Sequence, residues 1–203
     1  MKHYPSITGK IVDIDIFAFA KLDGSNIRAE WSRKRGLDKF GSRKVLLGAD
    51  HPFLGRAIET IRARYEEGLG KMFRDARIDA ATCFFEFYGP KSFAGIHDPE
   101  DKFEATLFDI DVYRKGLLPP REFLRLVEDR VPFASLLYTG KPNSDFLRSV
   151  RDGTLEGMPF EGVVCKGAPT KNGYPPTLFK VKSAAWIEAV KARFTESELT
   201  DLL

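Results

Sequence analysis

Over residues 26–31 polar and apolar side chains alternate, with Asn26, Arg28 and Glu30 set against Ile27, Ala29 and Trp31. A period of two puts the two sets on opposite faces of a half-buried strand. The preceding segment, residues 11–21, is rich in β-branched and aromatic residues and reads as strand too. Between them lies Asp23-Gly24-Ser25, a turn signal, so a hairpin-like pair with Lys21 at its bend is expected. Asp50-His51-Pro52 has the form of a helix start, Asp as cap and Pro in the first turn. Phe53, Leu54, Ala57, Ile58, Ile61 and Tyr65 follow at helical spacing. Strands are expected again over 81–88 and 104–113, and short helices over 120–130 and 144–151. A last pair of strands, 160–166 and 177–182, leads into an amphipathic helix over 183–194. Strands mostly in antiparallel succession, with helices inserted, predict an α+β fold rather than a doubly wound sheet.

Composition narrows the class. The 203 residues make about one domain, or two very small ones, on the usual prior of roughly 100–200 residues each, and 43% hydrophobic residues with 17 Phe can fill a core. No repeat or long linker divides the chain, so one domain over 1–203 is expected. The most apolar N-terminal stretch, residues 11–20, is interrupted by Asp13 and Asp15 and suits neither a signal peptide nor a membrane span. Cys83 and Cys165 cannot build a disulfide framework, and a reduced, cytoplasmic protein is expected. A net charge of +3 says little. Its distribution says more: residues 28–44 hold Arg28, Arg33, Lys34, Arg35, Lys39, Arg43 and Lys44 against only Glu30 and Asp38. That suits a phosphate-rich partner, or simply a solvated basic hairpin.

Four short segments could carry chemistry. Lys21-Leu22-Asp23-Gly24-Ser25-Asn26 ends an apolar strand in a lysine beside a tight turn. An amine nucleophile reacts in its neutral form and needs desolvation or nearby cations to reach it; an exposed turn lysine is the plainer alternative. In Phe84-Phe85-Glu86-Phe87-Tyr88-Gly89 one carboxylate sits among aromatics, sharing a face with Phe84 and Tyr88. Glu86 suits a metal's water shell or a ribose hydroxyl, or else solvent at a sheet edge. In Glu161-Gly162-Val163-Val164-Cys165-Lys166-Gly167 a carboxylate opens a strand and a lysine closes it. Their odd separation puts Glu161 and Lys166 on opposite faces unless Glu161 precedes the strand or a bulge intervenes. In Phe179-Lys180-Val181-Lys182-Ser183 the two lysines share a face. They suit a polyphosphate, or an edge strand guarded against aggregation.

In order and spacing these segments resemble motifs I, III, IV and V of the covalent nucleotidyltransferases: ATP-dependent DNA ligases, RNA ligases and mRNA-capping guanylyltransferases. Gly41-Ser42-Arg43 and Leu107-Phe108-Asp109 resemble motifs Ia and IIIa. Asn26, where DNA ligases and capping enzymes usually carry Arg, makes the chain most similar to RNA ligases. The resemblance implies an ATP-grasp-like nucleotidyltransferase domain, antiparallel sheets flanking a nucleotide cleft with helices outside. It implies that Lys21 attacks the α-phosphorus of ATP and keeps AMP as a phosphoramidate. Lys180 and Lys182 would neutralise the α-phosphate and keep Lys21 deprotonated. Asp23, Glu86 and Glu161 would hold Mg²⁺ (or Mn²⁺) through its waters. Glu86 would also contact the ribose, Arg43 would approach the ribose or the incoming 5′-phosphate, Phe108 would stack on adenine, and Asn26 and Lys166 would contact the nucleotide. AMP would pass to the 5′-phosphate of an RNA end, in nicked or duplexed RNA, and a 3′-hydroxyl would seal it; the basic 28–44 segment is the expected backbone track.

Only 21 residues follow Lys182, too few for an OB-fold, so no such domain is expected and a partner chain is a candidate substitute. The competing readings are a DNA ligase, a capping-type transferase, and a non-catalytic nucleotide- or RNA-binding module of the same fold. His3, His51 and His97 show no metal-ligand spacing. Cys83 and Cys165 are expected as small buried apolar side chains.

Overall fold

The computed structural model describes residues 1–90, 100–167 and 176–195; His97 lies outside them. The chain divides into two compact units, one of residues 1–5 and 24–133, the other of residues 6–23 and 134–203.

The second unit is built on a four-stranded antiparallel sheet. Its strands are β1 (Ile16–Lys21), β8 (Leu136–Gly140), β9 (Gly162–Gly167) and β10 (Leu178–Lys182), in the order β10-β9-β1-β8. Alternation divides it cleanly. One face carries Ile16, Ala18, Val163, Cys165, Phe179 and Val181, which form a core with Phe146 and Val150 of α3 (Ser144–Arg151). Asn143 starts α3, its side chain accepting from the Phe146 amide. Ser183 starts α4 (Ala184–Lys191) in the same way.

The first unit holds a six-stranded antiparallel sheet of β2 (Ser25–Ser32), β3 (Gly36–Ser42), β4 (Leu46–Leu47), β5 (Ala80–Tyr88), β6 (Glu104–Val112) and β7 (Gly116–Leu117), ordered β4-β3-β2-β5-β6-β7. Its apolar face, with Ala29, Trp31, Cys83 and Phe85, lies under α1 (Gly55–Asp75). There Tyr65 meets Phe85 at 4.9 Å and Trp31 meets Phe73 at 4.8 Å between ring centroids. α2 (Pro120–Val127) completes the unit, with proline in its first turn. Across the polar face runs the segment 1–5: Lys2 pairs with Asp111 at 2.6 Å, and the Tyr4 hydroxyl donates to Asp109 at 2.8 Å.

Two local expectations are corrected. The segments flanking Asp23-Gly24-Ser25 do not form a hairpin. β1 pairs with β8 and β9, and β2 with β3 and β5, so the turn carries the chain from one sheet into the other. Gly24 is there for close approach: a Cβ would stand 2.4 Å from the Phe87 carbonyl oxygen. The first helix starts at Gly55, not at Pro52, and no side chain caps it; in the turn before it the His51 Nδ1 receives the Phe53 and Leu54 amides at 3.4 and 3.2 Å. The remaining expected elements agree with the structure to within a few residues at their ends, but β3, β4, β7 and β8 were not anticipated.

Candidate active site

The face of the four-stranded sheet opposite its core is cationic, and register explains why. Lys21 on β1 and Lys182 on β10 both lie opposite Gly162 of β9, forming one row across three strands. Phe19, Val164 and Lys180 form the next row, and Phe17, Lys166 and Leu178 the one after. Four lysines from three strands therefore share a single face, because Ala18, Cys165, Phe179 and Val181 commit the alternate positions to the core.

Glu161 is the carboxylate among them. It lies just before β9, which removes the parity conflict with Lys166 foreseen in the sequence. Its Oε1 receives the Lys21 ammonium at 2.8 Å and the Lys182 ammonium at 3.2 Å, and the residue is only 4% exposed. The sharp entry is made by Gly162, at φ +133°, where a Cβ would stand 2.2 Å from the Val181 carbonyl oxygen. Lys166 is buried and places its ammonium 4.8 Å from the Phe19 ring centroid.

Lys182 bears the cost of this crowding. Burial pulls its pKa down from 10.5 to about 8; Glu161 opposes that, while Lys21 and Lys180 add to it. A cluster of this kind favours an anion with several negative oxygens. Such an anion supplies charge that one carboxylate cannot.

The first unit holds the other expected residues. Asn26 lies directly opposite Glu86 in the β2–β5 register, so the two side chains are neighbours on the polar face, with Thr106 across from Glu86 on β6. Phe108 is the extra residue of a β-bulge in β6, between Leu107 and Asp109, which face Phe85 and Phe84. Its ring stands edge-on to Tyr4, 5.0 Å between centroids. Arg43 is exposed in the bend between β3 and β4.

The basic run is less free than the sequence suggested. Arg28 is buried and donates to the Lys2 carbonyl at 3.2 Å, while Arg33, Arg35 and Lys39 pair with Asp79, Asp38 and Glu30. Arg28 thus drops out of any surface track.

The sequence did not mark Tyr4, which donates to Asp109, or Trp186, whose ring centroid lies 3.7 Å from the Lys182 Nζ. Tyr4 had no pattern to mark it. Trp186 had one faint signal: an aromatic three residues after a serine that could cap a helix.

Among the described residues, no three His, Cys, Asp or Glu side chains group closely enough to hold a metal ion directly. Holding an ion through its water shell, the mode expected for Mg²⁺, needs no such group. Also among the described residues, no helix is long and apolar enough to cross a membrane.

No family model and no curated protein matches this sequence. Solved structures do match. Naegleria gruberi RNA ligase with PPi superposes with a TM-score of 0.64 at 20% identity, covering 92% of this chain and 53% of that one. A mutant of the same ligase with AMP and Mn gives 0.63 at 19%, covering 87% and 52%. An archaeal ATP-dependent RNA ligase gives 0.65 at 19%, covering 92% and 50%. At these identities the likeness is one of fold, and the chain spans about half the length of each structure.

Proposed function

We propose that this chain is the adenylyltransferase domain of an ATP-dependent RNA ligase, with Lys21 as nucleophile. The observation that carries the reading is the single row Lys21–Gly162–Lys182, whose two ammonium groups converge on one oxygen of Glu161. A pure binding module needs phosphate-facing lysines but has no use for an amine set beside a proton acceptor.

In this reading the Lys21 nitrogen attacks the α-phosphorus of ATP. The N–P bond forms, the bond from that phosphorus to the bridging oxygen breaks, and pyrophosphate leaves with the electron pair. Glu161 is positioned to take the proton that the amine sheds. Lys182, Lys180 and Lys166 meet the negative oxygens as charge shifts toward the leaving group. Fixed charges of this sort supply much of the catalysis in phosphoryl-type transfer, which asks for little beyond positioning and charge stabilisation. ATP arrives with its divalent ion, whose water shell Asp23, Glu86 and Glu161 would meet. In the first unit, Asn26, Glu86, Phe108 and Arg43 are assigned to the nucleoside side and the incoming 5′-phosphate. AMP then passes to an RNA 5′-phosphate, and a 3′-hydroxyl displaces it.

The test is incubation with ATP labelled at the α-phosphate and Mg²⁺. An acid-labile, base-resistant adduct is expected, and it should disappear in Lys21→Ala. Label retained by that variant removes Lys21 from the mechanism, and label from GTP alone makes the protein a capping-type transferase. Matched nicked duplexes that differ only in the sugar of the 3′-hydroxyl strand separate RNA from DNA sealing.

A further inference from the structure

Lys182 is closely confined, its side chain 7% exposed, yet Glu161 is shared with Lys21 and cannot hold it alone. The other side of its ammonium is covered by Trp186, with Nζ 3.7 Å from the indole centroid. An indole face attracts a cation more strongly than any other side-chain ring, most of all where water is excluded. Trp186 itself is 1% exposed, and its Nε1 has no hydrogen-bond partner among the described residues. The ring is therefore held by what its faces touch, at the expense of its polar edge.

The helix that carries Trp186 is tied directly to the carboxylate corner. The Ser183 hydroxyl donates to the Phe160 carbonyl at 2.6 Å and accepts from the Trp186 amide at 3.1 Å. The Ser183 amide donates to the Glu161 carbonyl at 3.0 Å. One buried serine thus fixes three things together: the end of β10 just after Lys182, the first turn of α4 and the backbone of Glu161.

We infer that Trp186 is a positioning residue for the proposed reaction, its indole face seating Lys182 against the incoming triphosphate, with Ser183 locking that seat to Glu161. This rests on the reading of Lys182 as a phosphate-binding cation. Without the ring, the Lys182 ammonium keeps Glu161 at 3.2 Å on one side but loses the contact that fixes it from the other.

The experiment compares Trp186→Phe with Trp186→Leu, reading equilibrium affinity for α,β-methylene-ATP, which cannot transfer AMP, beside the thermal midpoint. Leu fills the apolar space without an aromatic face; Phe keeps a weaker one. Trp186→Leu should weaken binding about tenfold, with Phe recovering most of the loss. Equal losses for Leu and Phe, or none for Leu, would overturn the inference. A second arm places Trp186→Leu in a Lys182→Met chain, where it should cost no further affinity; a further tenfold loss there shows that the ring acts on something other than Lys182. Because the analogue never reacts, these arms stand whether or not Lys21 takes label, and absence of label in the wild-type chain counts against the ligase reading alone.

Discussion

Replacing Lys182 with methionine should make the protein more stable and less active. The side chain is nearly buried, and its pKa falls from 10.5 to about 8 because desolvation, reinforced by Lys21 and Lys180, outweighs the attraction of Glu161. At about 1.4 kcal/mol per unit, keeping that ammonium charged at neutral pH costs about 3 kcal/mol of folding free energy. Methionine fills similar space without charge, but leaves Glu161 with Lys21 alone, so the expected gain is about 1–3 kcal/mol. The sign with pH follows from proton counts. Between pH 8 and 10.5 the unfolded chain holds the Lys182 proton while the folded one has released it, so wild-type stability rises through that window. The advantage of Lys182→Met should therefore be greatest at pH 7 and fade by pH 10. Urea unfolding of both chains at the two pH values measures it, the difference cancelling the titrating groups that do not interact with Lys182. A variant no more stable than wild type at pH 7, or an advantage of the same size at both, would refute the reasoning. Label transfer from ATP should fall sharply in the same variant, a trade of stability for function of the kind active sites commonly show.

Other substitutions test other parts of the structure. Gly162→Ala should lower the unfolding midpoint and abolish label transfer together, because the new Cβ meets the Val181 carbonyl and displaces Glu161; a fully active, stable variant would mean that the corner has slack. Tyr4→Phe keeps the ring against Phe84 and Phe108 but removes a hydrogen bond to the buried Asp109, and urea unfolding should show a loss of about 1–3 kcal/mol. The Cys165 thiol is buried with its pKa pushed up to about 12, and Cys83 is higher still, so a thiol reagent at pH 8 should react only as fast as the protein opens.

Much of the site was legible because its signals are local. Lys180 and Lys182 are two apart, so one face had to carry both, and Phe179 and Val181, which alternate with them, fall on the core face. The helices over 144–151 and 183–194 were expected from the sequence, and the structure adds their caps, Asn143 and Ser183. What escaped depends on partners distant in the chain. Asp23-Gly24-Ser25 looks the same whether it closes a hairpin or links two sheets, and only the pairing of β1 with β8 and β9 decides. Arg28 read as a surface cation because nothing within the run shows that the segment 1–5 will cover it. β4 and β7 have two residues each, too short to show a period.

The two-sided character of the four-stranded sheet bears on how uniform a preparation of this protein should be. Were β10 to slip by one residue against β9, Phe179 and Val181 would turn outward and Lys180 and Lys182 would be driven in beneath α3. Unpaired ammonium groups there would cost several kcal/mol each. A misregistered molecule is therefore an unfolded one, and no folded but inert population should accumulate. Counting competent sites by a single turnover should accordingly return the same number as counting folded chains.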